Sequence, residues 1–353
     1  MEKELWKGNE AIAEAAIRAG CKHFFGYPIT PQNEIPEYLS QHLPEVGGCF
    51  LQAESEVAAI NMVYGAAGCG KRVMTSSSSP GISLKQEGIT YLCGAELPCV
   101  IVNMMRGGPG LGTIQPAQGD YYQATRGGGN GDYRHLVYAP ATIQEAADYV
   151  RMAFDVADAY RNPVMILADG MIGQMMEAIE WHDVPKRELP DKPWATTGTH
   201  GERKPNIINS LYIDPNLCAD HNVRLTEKYR AIEENETRWE ETDTEDCEVL
   251  FVAYGTPSRI AKAAIRQLAK EGIRAGLFRP ITLWPFPGKA LKQTAMQPNC
   301  KVVVDVELSM GQMIDDVKIA LEGCRPVTFI GKAGGVVPTP AEVAAAAKQA
   351  LGR

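Results

Sequence analysis

Short apolar segments alternate with helix-length segments along the first half of this 353-residue chain. The segments with the apolar, β-branched and aromatic content of strands are His23–Tyr27, Cys49–Leu51, Val73–Ser76, Val100–Met104, Leu136–Tyr138 and Val164–Ala168. The stretches between them, such as Glu54–Tyr64 and Ile143–Tyr160, are long enough for helices. Because a helix between two strands leaves the strands parallel, the alternation predicts an α/β fold whose parallel sheet is covered by helices on both faces.

A polar stretch rich in Pro, Lys and Glu interrupts this pattern from residue 182 to residue 246. Such a composition predicts a linker. Within it, four apolar residues keep helical spacing, namely Leu225, Tyr229, Ile232 and Trp239. One amphipathic helix is therefore expected to pack along a neighbouring surface.

Strand-like and helix-like segments alternate again after Cys247. The strand-like segments are Val249–Tyr254, Ile273–Phe278, Val302–Val306 and Val327–Ile330. A last helix is predicted to begin with Thr339 as its N-cap and Pro340 as its first residue. We therefore predict a first domain over residues 1–181, a linker over 182–246 and a smaller α/β domain over 247–353.

The charge balance excludes several classes of partner. A net charge of −8 and a pI near 5.4 provide no basic stripe for nucleic acid or for a membrane surface. No apolar run approaches the roughly 20 residues of a membrane helix. The N-terminal segment lacks the features of a signal peptide, and its apolar residues Leu5, Ile12, Ala16 and Ala19 share one helical face. We therefore expect a cytoplasmic protein.

Nine cysteines are scattered along the chain without a CxxC pair. This spacing fits neither a zinc site nor an iron–sulfur cluster, so no metal site is predicted in this chain. Cys21, Cys49 and Cys99 lie in apolar surroundings and are expected to pack as small buried hydrophobes. Any redox centre is therefore expected in a partner.

Glu56 is the first candidate functional residue. It lies nine positions before Gly65 in a helix-like stretch that follows an apolar strand-like segment, so its carboxylate is expected to be buried. A buried carboxylate without a charge partner is costly unless it binds something, which indicates a functional site. The alternative is an exposed helical glutamate, although the neighbouring Glu54 suits that position better.

Arg106 and Thr30 are the other candidates. Arg106 follows the predicted strand Val100–Met104, and ligands of open α/β sheets bind at the carboxyl ends of strands. Its planar guanidinium can hold a carboxylate through two hydrogen bonds, although a solvated loop residue is the alternative. Thr30 precedes Pro31, a pattern typical of a helix N-cap, where the positive field also suits a carboxylate.

Three glycine-rich segments need separate interpretation. Gly65–Lys71 resembles the start of a phosphate-binding P-loop, but Arg72 replaces the Ser or Thr and a helix enters where a strand should. Nucleotide binding is therefore not predicted. The clusters Gly107–Gly110 and Gly127–Gly131 are either covers over a pocket or plain surface loops.

Five segments in this order closely resemble the alpha subunit of the 2-oxoacid:ferredoxin oxidoreductases. They are Gly26–Pro31, Gln52–Ala59, Thr75–Gly81, Arg106–Gly110 and Gly119–Tyr121. The resemblance is nearest to the 2-oxoisovalerate (3-methyl-2-oxobutanoate) and 2-oxoglutarate members and covers nearly the whole chain. It implies a first domain of the pyrimidine-binding type found in thiamin diphosphate enzymes, followed by a domain like the C-terminal domain of transketolase.

The resemblance also implies roles for individual residues. Glu56 corresponds to the glutamate that activates the cofactor through its aminopyrimidine ring. Arg106 corresponds to the residue that holds the carboxylate of the 2-oxoacid, and Thr30 supplies a hydroxyl near the substrate. Neighbouring residues expected to contact the cofactor are Tyr27, Pro28 and Ile29.

The chain lacks the Gly-Asp-Gly sequence with which thiamin enzymes hold magnesium. Gly119–Tyr121 and Gly131–Tyr133 lack the third glycine. The resemblance therefore implies a beta subunit that holds the diphosphate, magnesium and a 4Fe–4S cluster, with possible gamma and ferredoxin-like delta subunits. Ferredoxin and coenzyme A are the remaining partners. The resemblance would put a histidine at Asn130, so the role of this position stays open.

Three functions remain open from the sequence. The first is the alpha subunit of a coenzyme-A-acylating 2-oxoacid:ferredoxin oxidoreductase that decarboxylates 3-methyl-2-oxobutanoate or, alternatively, 2-oxoglutarate. The second is the beta-type E1 subunit of an NAD-linked 2-oxoacid dehydrogenase complex, which would need a lipoyl partner. The third is a non-catalytic assembly or regulatory subunit. The segment Tyr27–Pro31 and the serine run, Thr75–Gly81, favour the first.

Overall fold

The computed structural model describes residues 3–185 and 187–353. Its strands are β1 (Glu4–Lys7), β2 (His23–Gly26), β3 (Cys49–Gln52), β4 (Val73–Ser77), β5 (Val100–Met105), β6 (Leu136–Tyr138), β7 (Val164–Asp169), β8 (Met176–Ile179), β9 (Trp239–Thr242), β10 (Val249–Val252), β11 (Ala275–Pro280), β12 (Thr282–Trp284), β13 (Val302–Glu307) and β14 (Val327–Gly331). Its α-helices are α1 (Gly8–Arg18), α2 (Glu34–His42), α3 (Glu56–Gly68), α4 (Ser79–Gly94), α5 (Tyr121–Arg126), α6 (Ile143–Tyr160), α7 (Gly170–Gln174), α8 (Pro215–Glu236), α9 (Gly255–Lys270), α10 (Gly288–Ala295), α11 (Met313–Leu321) and α12 (Pro340–Ala350).

A seven-stranded sheet dominates the first half of the described chain, with the strand order β12-β6-β7-β5-β4-β2-β3. The strands β2 to β7 pair in parallel, and β12 is the one described strand of this sheet that is antiparallel to its neighbour. Alternate residues of β5 enter different cores: Val102 packs with α1, α2 and α6, whereas Ile101 packs with α3 and α4. The predicted parallel sheet covered on both faces is confirmed.

The second sheet has the order β14-β13-β10-β11-β9. Its first four strands are parallel, and β9 joins the edge antiparallel to β11. Helices α9 and α12 cover one face, and α10 and α11 cover the other. The last helix begins as predicted: the side chain of Thr339 accepts from the Glu342 amide, and Pro340 is the first helical residue.

The two sheets share buried polar contacts. Gln118 donates from Nε2 to the Tyr254 carbonyl at 3.0 Å and accepts from the Leu308 amide at 3.0 Å. The Asp169 carboxylate accepts from the amide and the hydroxyl of Thr256. Burial raises the pKa of Asp169, while these bonds lower it. Strand β12, which pairs with β6, adds a main-chain connection between the two parts of the chain.

Helix α8 confirms the predicted amphipathic helix, because Leu225, Tyr229 and Ile232 are all buried. The expectation for Trp239 is wrong. The helix ends at Glu236, and Trp239 begins β9 with its side chain partly exposed. Pairing with β11, which comes later in the chain, overrides the local helical spacing.

Two further expectations about packing are wrong. Leu5 is exposed because Glu4–Lys7 pairs with β8 as a strand and does not extend α1. Cys49 is exposed because β3 is the outermost strand of the seven-stranded sheet. Cys21 and Cys99 are buried as expected. No helix within residues 3–185 or 187–353 is long and apolar enough to cross a membrane.

Candidate functional site

Glu56 is the first residue of α3 and is 6% exposed, as the sequence predicted. Ser55 caps the helix by accepting from the Ala58 amide at 3.2 Å, which fixes where the helix begins. In the part of the chain that the structure describes, no side chain donates a hydrogen bond to the Glu56 carboxylate. The carboxylate is therefore free to bind an external donor.

Helix α4 approaches α3 closely through two glycines. A Cβ added to Gly81 would lie 2.6 Å from Glu56 Oε1 and 2.1 Å from Ser77 Oγ. One added to Gly88 would lie 2.5 Å from Ile60. Gly81 and Gly88 lie two turns apart on one face of α4, and they approach Glu56 and Ile60, which lie one turn apart on α3. The two glycines therefore form the surface of α4 that contacts α3. Helices α3 and α4 could not pack this closely with larger residues at these two positions.

The serine run ends beside this contact with hydroxyl groups that lack partners. Ser77 Oγ and Ser78 Oγ are buried and make no hydrogen bond to any residue that the structure describes. Buried hydroxyls are normally satisfied, so unpaired ones beside an unpaired carboxylate indicate a place where a polar ligand binds. The sequence marked this run through the family resemblance alone, and no single serine of it was predicted as a site residue.

Arg106 directly follows β5 and is 9% exposed. Its guanidinium donates from Nη1 to the Thr30 carbonyl at 2.9 Å and from Nη2 to the Leu111 carbonyl at 3.2 Å. Its Nε is buried without a partner. The structure thus brings Arg106 and Thr30 together and excludes the solvated loop alternative.

Thr30 does not cap a helix, so that expectation is wrong. Residues 30 and 31 form a turn joined by a cis peptide bond, and α2 begins only at Glu34, with Asn33 at the cap position. The hydroxyl of Thr30 accepts from Asn33 Nδ2 at 3.4 Å. The turn at residues 30 and 31 thus precedes the helix, which begins three residues after Pro31.

Ser79 connects the two sets of residues. Its Oγ accepts from the Arg106 amide at 3.1 Å and donates to Asp120 Oδ2 at 2.6 Å, and its amide donates to Asn103 Oδ1 at 3.2 Å. Burial raises the pKa of Asp120, and the bonds from Ser79 and Asn103 lower it. Glu56 lies near the Ser77 side chain, and the Arg106 amide binds the Ser79 hydroxyl. Residues 77–79 therefore lie next to both Glu56 and Arg106. Reasoning from the sequence did not single out Ser79, Asn103 or Asp120 as site residues.

A cavity of about 540 Å³ lies beside Thr30. Its wall includes Ile114, Met171 and Met175 from the first part of the chain, and Val337 from the second. Arg106 and Glu56 do not line it. The cavity contains no Arg, Lys or His among its described lining residues, so its polar groups are neutral or acidic.

The segment Tyr27–Ile29 leads from β2 towards Thr30. Tyr27 and Pro28 are exposed, and Ile29 is partly buried. The Tyr27 carbonyl accepts from Gln32 Nε2 at 3.4 Å. These residues lie on the approach to the site, and their contact with a cofactor stays a prediction.

The glycine clusters differ in their surroundings. Gly107–Gly110 leads into a turn in which Thr113 donates to the Gly107 carbonyl, and this turn brings the Leu111 carbonyl onto Arg106. Gly128 and Gly129 instead donate to the Tyr133 hydroxyl, away from Arg106. The P-loop-like segment has the predicted helix–turn–strand order, since α3 ends at Gly68 and β4 begins at Val73. Within residues 3–185 and 187–353, no group of three or more His, Cys, Asp or Glu side chains could hold a metal ion.

The structure thus has a parallel-sheet domain with a buried acid at one helix start, joined to a smaller α/β domain, which is the arrangement that the family resemblance implied for a thiamin-dependent enzyme. Residues 14–241 match the family described as pyruvate flavodoxin/ferredoxin oxidoreductase, thiamine diphosphate binding, and residues 247–343 match pyruvate:ferredoxin oxidoreductase core domain II. The chain belongs to the 2-oxoacid:ferredoxin oxidoreductase family.

Curated relatives cover nearly the whole chain. It is 50% identical over 335 residues to the ketoisovalerate oxidoreductase subunit VorB of Methanothermobacter marburgensis, covering 95% of this chain and 94% of that protein. It is 37% identical to the 2-oxoglutarate synthase subunit KorA of Methanocaldococcus jannaschii, covering 97% and 98%. Each of these relatives is named as a subunit, which implies further subunits in the assembly.

Solved structures agree on the fold. The 2-oxoglutarate:ferredoxin oxidoreductase from Magnetococcus marinus superposes with a TM-score of 0.89 at 24% identity, over 99% of this chain. This chain spans 65% of the length of that one. An inactive β4 tetramer of a split-gene transketolase gives a TM-score of 0.61 at 17% identity, covering 98% of both chains. The predicted pairing of a thiamin-type domain with a transketolase C-terminal-like domain is confirmed.

Proposed function

We propose that this chain is the alpha subunit of a coenzyme-A-acylating 2-oxoacid:ferredoxin oxidoreductase. The complex would convert a 2-oxoacid to acyl-CoA and carbon dioxide and pass the electrons to ferredoxin. One observation carries the proposal: the buried Glu56 carboxylate has no donor of its own, and the serine run places it near Arg106 and Thr30. The cytoplasmic location and the domain boundaries at 181 and 246 stay predictions.

Glu56 would bind the aminopyrimidine end of thiamin diphosphate. This cofactor supplies a carbanion that adds to the keto carbon and then accommodates the electrons left by decarboxylation. The residues fit the polar edge of a ring, because the Glu56 carboxylate receives no hydrogen bond from a described side chain and the buried hydroxyls of Ser77 and Ser78 lack partners among the described residues. Glu56 would hold a proton at the ring nitrogen, which is the task of an acid in a site closed to water.

Arg106 and Thr30 would hold the substrate carboxylate. The guanidinium is already oriented by the carbonyl groups of Thr30 and Leu111, so little side-chain freedom is lost when a carboxylate binds. Its Nε has no hydrogen-bond partner among the described residues and would donate to the substrate. A fixed carboxylate keeps the keto carbon in one place while carbon dioxide leaves.

A beta subunit would complete the site. Magnesium and the diphosphate have no Gly-Asp-Gly sequence to bind in this chain, so we assign them, with a 4Fe–4S cluster, to that subunit. Exposed apolar residues close in the chain to Thr30, Glu56 and Arg106 support a partner surface there: Tyr27, Leu51, Val57 and Leu111. Gamma and ferredoxin-like delta subunits are further possible partners.

We favour 3-methyl-2-oxobutanoate as the substrate. The cavity beside Thr30 has an apolar wall and no cationic residue among its described lining, which suits a branched alkyl group. Glu34 in the same wall is already paired with Lys7, so the described lining offers no free cation to a second carboxylate such as that of 2-oxoglutarate. The 50% identity to a ketoisovalerate oxidoreductase subunit supports the same choice.

The test is to purify the chain with its natural partners and to measure coenzyme-A-dependent reduction of a viologen dye with a panel of 2-oxoacids. We expect a brown, cluster-bearing complex with the highest kcat/KM for 3-methyl-2-oxobutanoate, by at least about tenfold over 2-oxoglutarate. A lipoyl-bearing partner with reduction of NAD would instead identify an NAD-linked dehydrogenase subunit. A complex that oxidises no 2-oxoacid would contradict the proposal.

Gly81→Ala is expected to weaken thiamin diphosphate binding to the assembled complex by at least about tenfold, because the added methyl group would displace Glu56 or Ser77. The measurement is a cofactor titration by tryptophan fluorescence. Gly65→Ala is the matched control: no atom lies within 4 Å of its added Cβ, so the affinity should not change. Gly88→Ala would also push α4 away from α3, but at Ile60 and not at Glu56. Its cofactor affinity therefore shows how much of the loss in Gly81→Ala comes from displacement of the whole helix. Equal affinities for Gly81→Ala and Gly65→Ala would contradict the assigned ring position.

A further inference from the structure

Lys85 is a fully buried lysine in the middle of α4. Its Nζ donates to Thr75 Oγ1 at 2.6 Å and to the Ser76 carbonyl at 3.0 Å. Both acceptors are uncharged, and Lys85 forms no ion pair within the part of the chain that the structure describes. A buried ammonium group without a counter-ion in contact is costly, so its presence calls for a reason.

Lys85 lies on the stripe of α4 that faces Glu56. Gly81, Lys85 and Gly88 are at positions i, i+4 and i+7 of the helix, which place them on one face. The first of these residues touches Glu56, and the last touches Ile60 one turn further along α3. Lys85 binds the Ser76 carbonyl near the end of β4. The next residue is Ser77, whose hydroxyl lies beside Glu56.

The charges around Lys85 agree with this placement. Burial lowers the pKa of Lys85 from 10.5 to about 7, and the charge of Glu56 is the largest influence that raises it. Cys99 is the other titratable group that faces Lys85, and burial raises the pKa of its thiol, so this thiol is neutral. Glu56 is therefore the carboxylate to which the Lys85 charge is coupled.

We propose that Lys85 is a positioning residue for Glu56: its buried ammonium group favours the ionised carboxylate and so directs the proton shared with the aminopyrimidine towards the ring nitrogen. This inference rests on the proposed function. The competing explanation is structural, with Lys85 serving only to bind the Ser76 carbonyl at the end of β4. A neutral donor at position 85 could do that equally well, which makes the two explanations separable.

Lys85→Gln and Lys85→Met separate the charge from the hydrogen bonds in the reconstituted complex. If the charge matters, both variants lose kcat by about tenfold at neutral pH, keep the KM for the 2-oxoacid, and move the acidic limb of the kcat profile upward by about one pH unit. A Lys85→Gln variant with the wild-type pH profile would overturn the inference. Lys71→Gln, at an exposed lysine, is the control and should change nothing.

A second readout uses the full chain without cofactor or partner. Between about pH 7 and pH 10 the unfolded chain holds a proton on Lys85 that the folded chain has released, so the free energy of unfolding should rise with pH in this window. Glu56→Gln removes a charge that raises the pKa of Lys85, so the rise should begin at lower pH. Urea unfolding at several pH values measures this.

The two readouts distinguish the possible failures. If the wild-type complex does not oxidise 2-oxoacids but Glu56→Gln still shifts the stability profile, the proposed function fails while the coupling between Lys85 and Glu56 stands. If the complex is active and Glu56→Gln leaves the stability profile of the full chain unchanged, the coupling is absent and the inference about Lys85 is wrong.

Discussion

Glu56→Gln is expected to lower kcat for 2-oxoacid-dependent viologen reduction by about 10³-fold in the reconstituted complex. The amide keeps the shape of the side chain but cannot hold and return a proton at the ring nitrogen. Glu56 is buried and receives no hydrogen bond from a described side chain, so the substitution leaves no protein partner unpaired. Folding and assembly should therefore survive, and thermal unfolding with gel filtration checks this.

Glu54→Gln is the matched control for this experiment. Glu54 lies two residues earlier and is exposed, so its substitution should leave kcat and cofactor affinity unchanged. If Glu56→Gln retained full activity in a properly assembled complex, the chain would be a non-catalytic assembly or regulatory subunit. Loss of assembly in Glu56→Gln but not in Glu54→Gln would instead assign the carboxylate to the subunit interface.

Arg106→Lys is expected to lower kcat/KM for the 2-oxoacid by about 100-fold, equivalent to about 3 kcal/mol of lost transition-state binding. Lysine keeps the charge but loses the planar fork that donates to Thr30, Leu111 and the substrate carboxylate together. The effect should fall mainly on KM, with thiamin diphosphate affinity unchanged. Steady-state kinetics with 3-methyl-2-oxobutanoate and a cofactor titration separate these quantities.

Arg230→Lys serves as the control, because Arg230 is exposed on α8. It should behave as the wild type in both measurements. An Arg106→Lys variant with an unchanged KM would show that another group holds the substrate carboxylate. A fall in cofactor affinity with an unchanged KM would show that Arg106 binds the cofactor and not the substrate.

The sequence allowed the main sheet and the burial of two of the three candidate site residues to be predicted. Burial of Glu56 and of Arg106 follows from elements whose patterns are local: Arg106 ends a run of apolar residues, and Glu56 starts a helix after a strand. Thr30 was found through the family resemblance, but its predicted capping role was wrong because the turn at Pro31 delays α2. Local patterns locate a residue along the chain better than they assign its partners.

The missed features depend on distant contacts. Strands β9 and β12 are short, and each becomes a strand only by pairing with a segment elsewhere in the chain. The sequence analysis did not single out Lys85, whose burial depends on the packing of α4 against β4 and α3. Ser79 and Asp120 likewise meet only in three dimensions.

Strand β9 precedes residue 246 but pairs with β11 of the second sheet, and β12 follows it but pairs with β6 of the first sheet. This exchange limits how the protein can be divided. A cut after residue 246 would leave β6 without its outer neighbour β12, and β11 without β9 at its side. Each fragment would then present an open sheet edge of unsatisfied amide and carbonyl groups, which invites association with other chains. Expression of either half as an independent unit is therefore a poor strategy, and dissection of this protein should proceed by point substitution in the intact polypeptide.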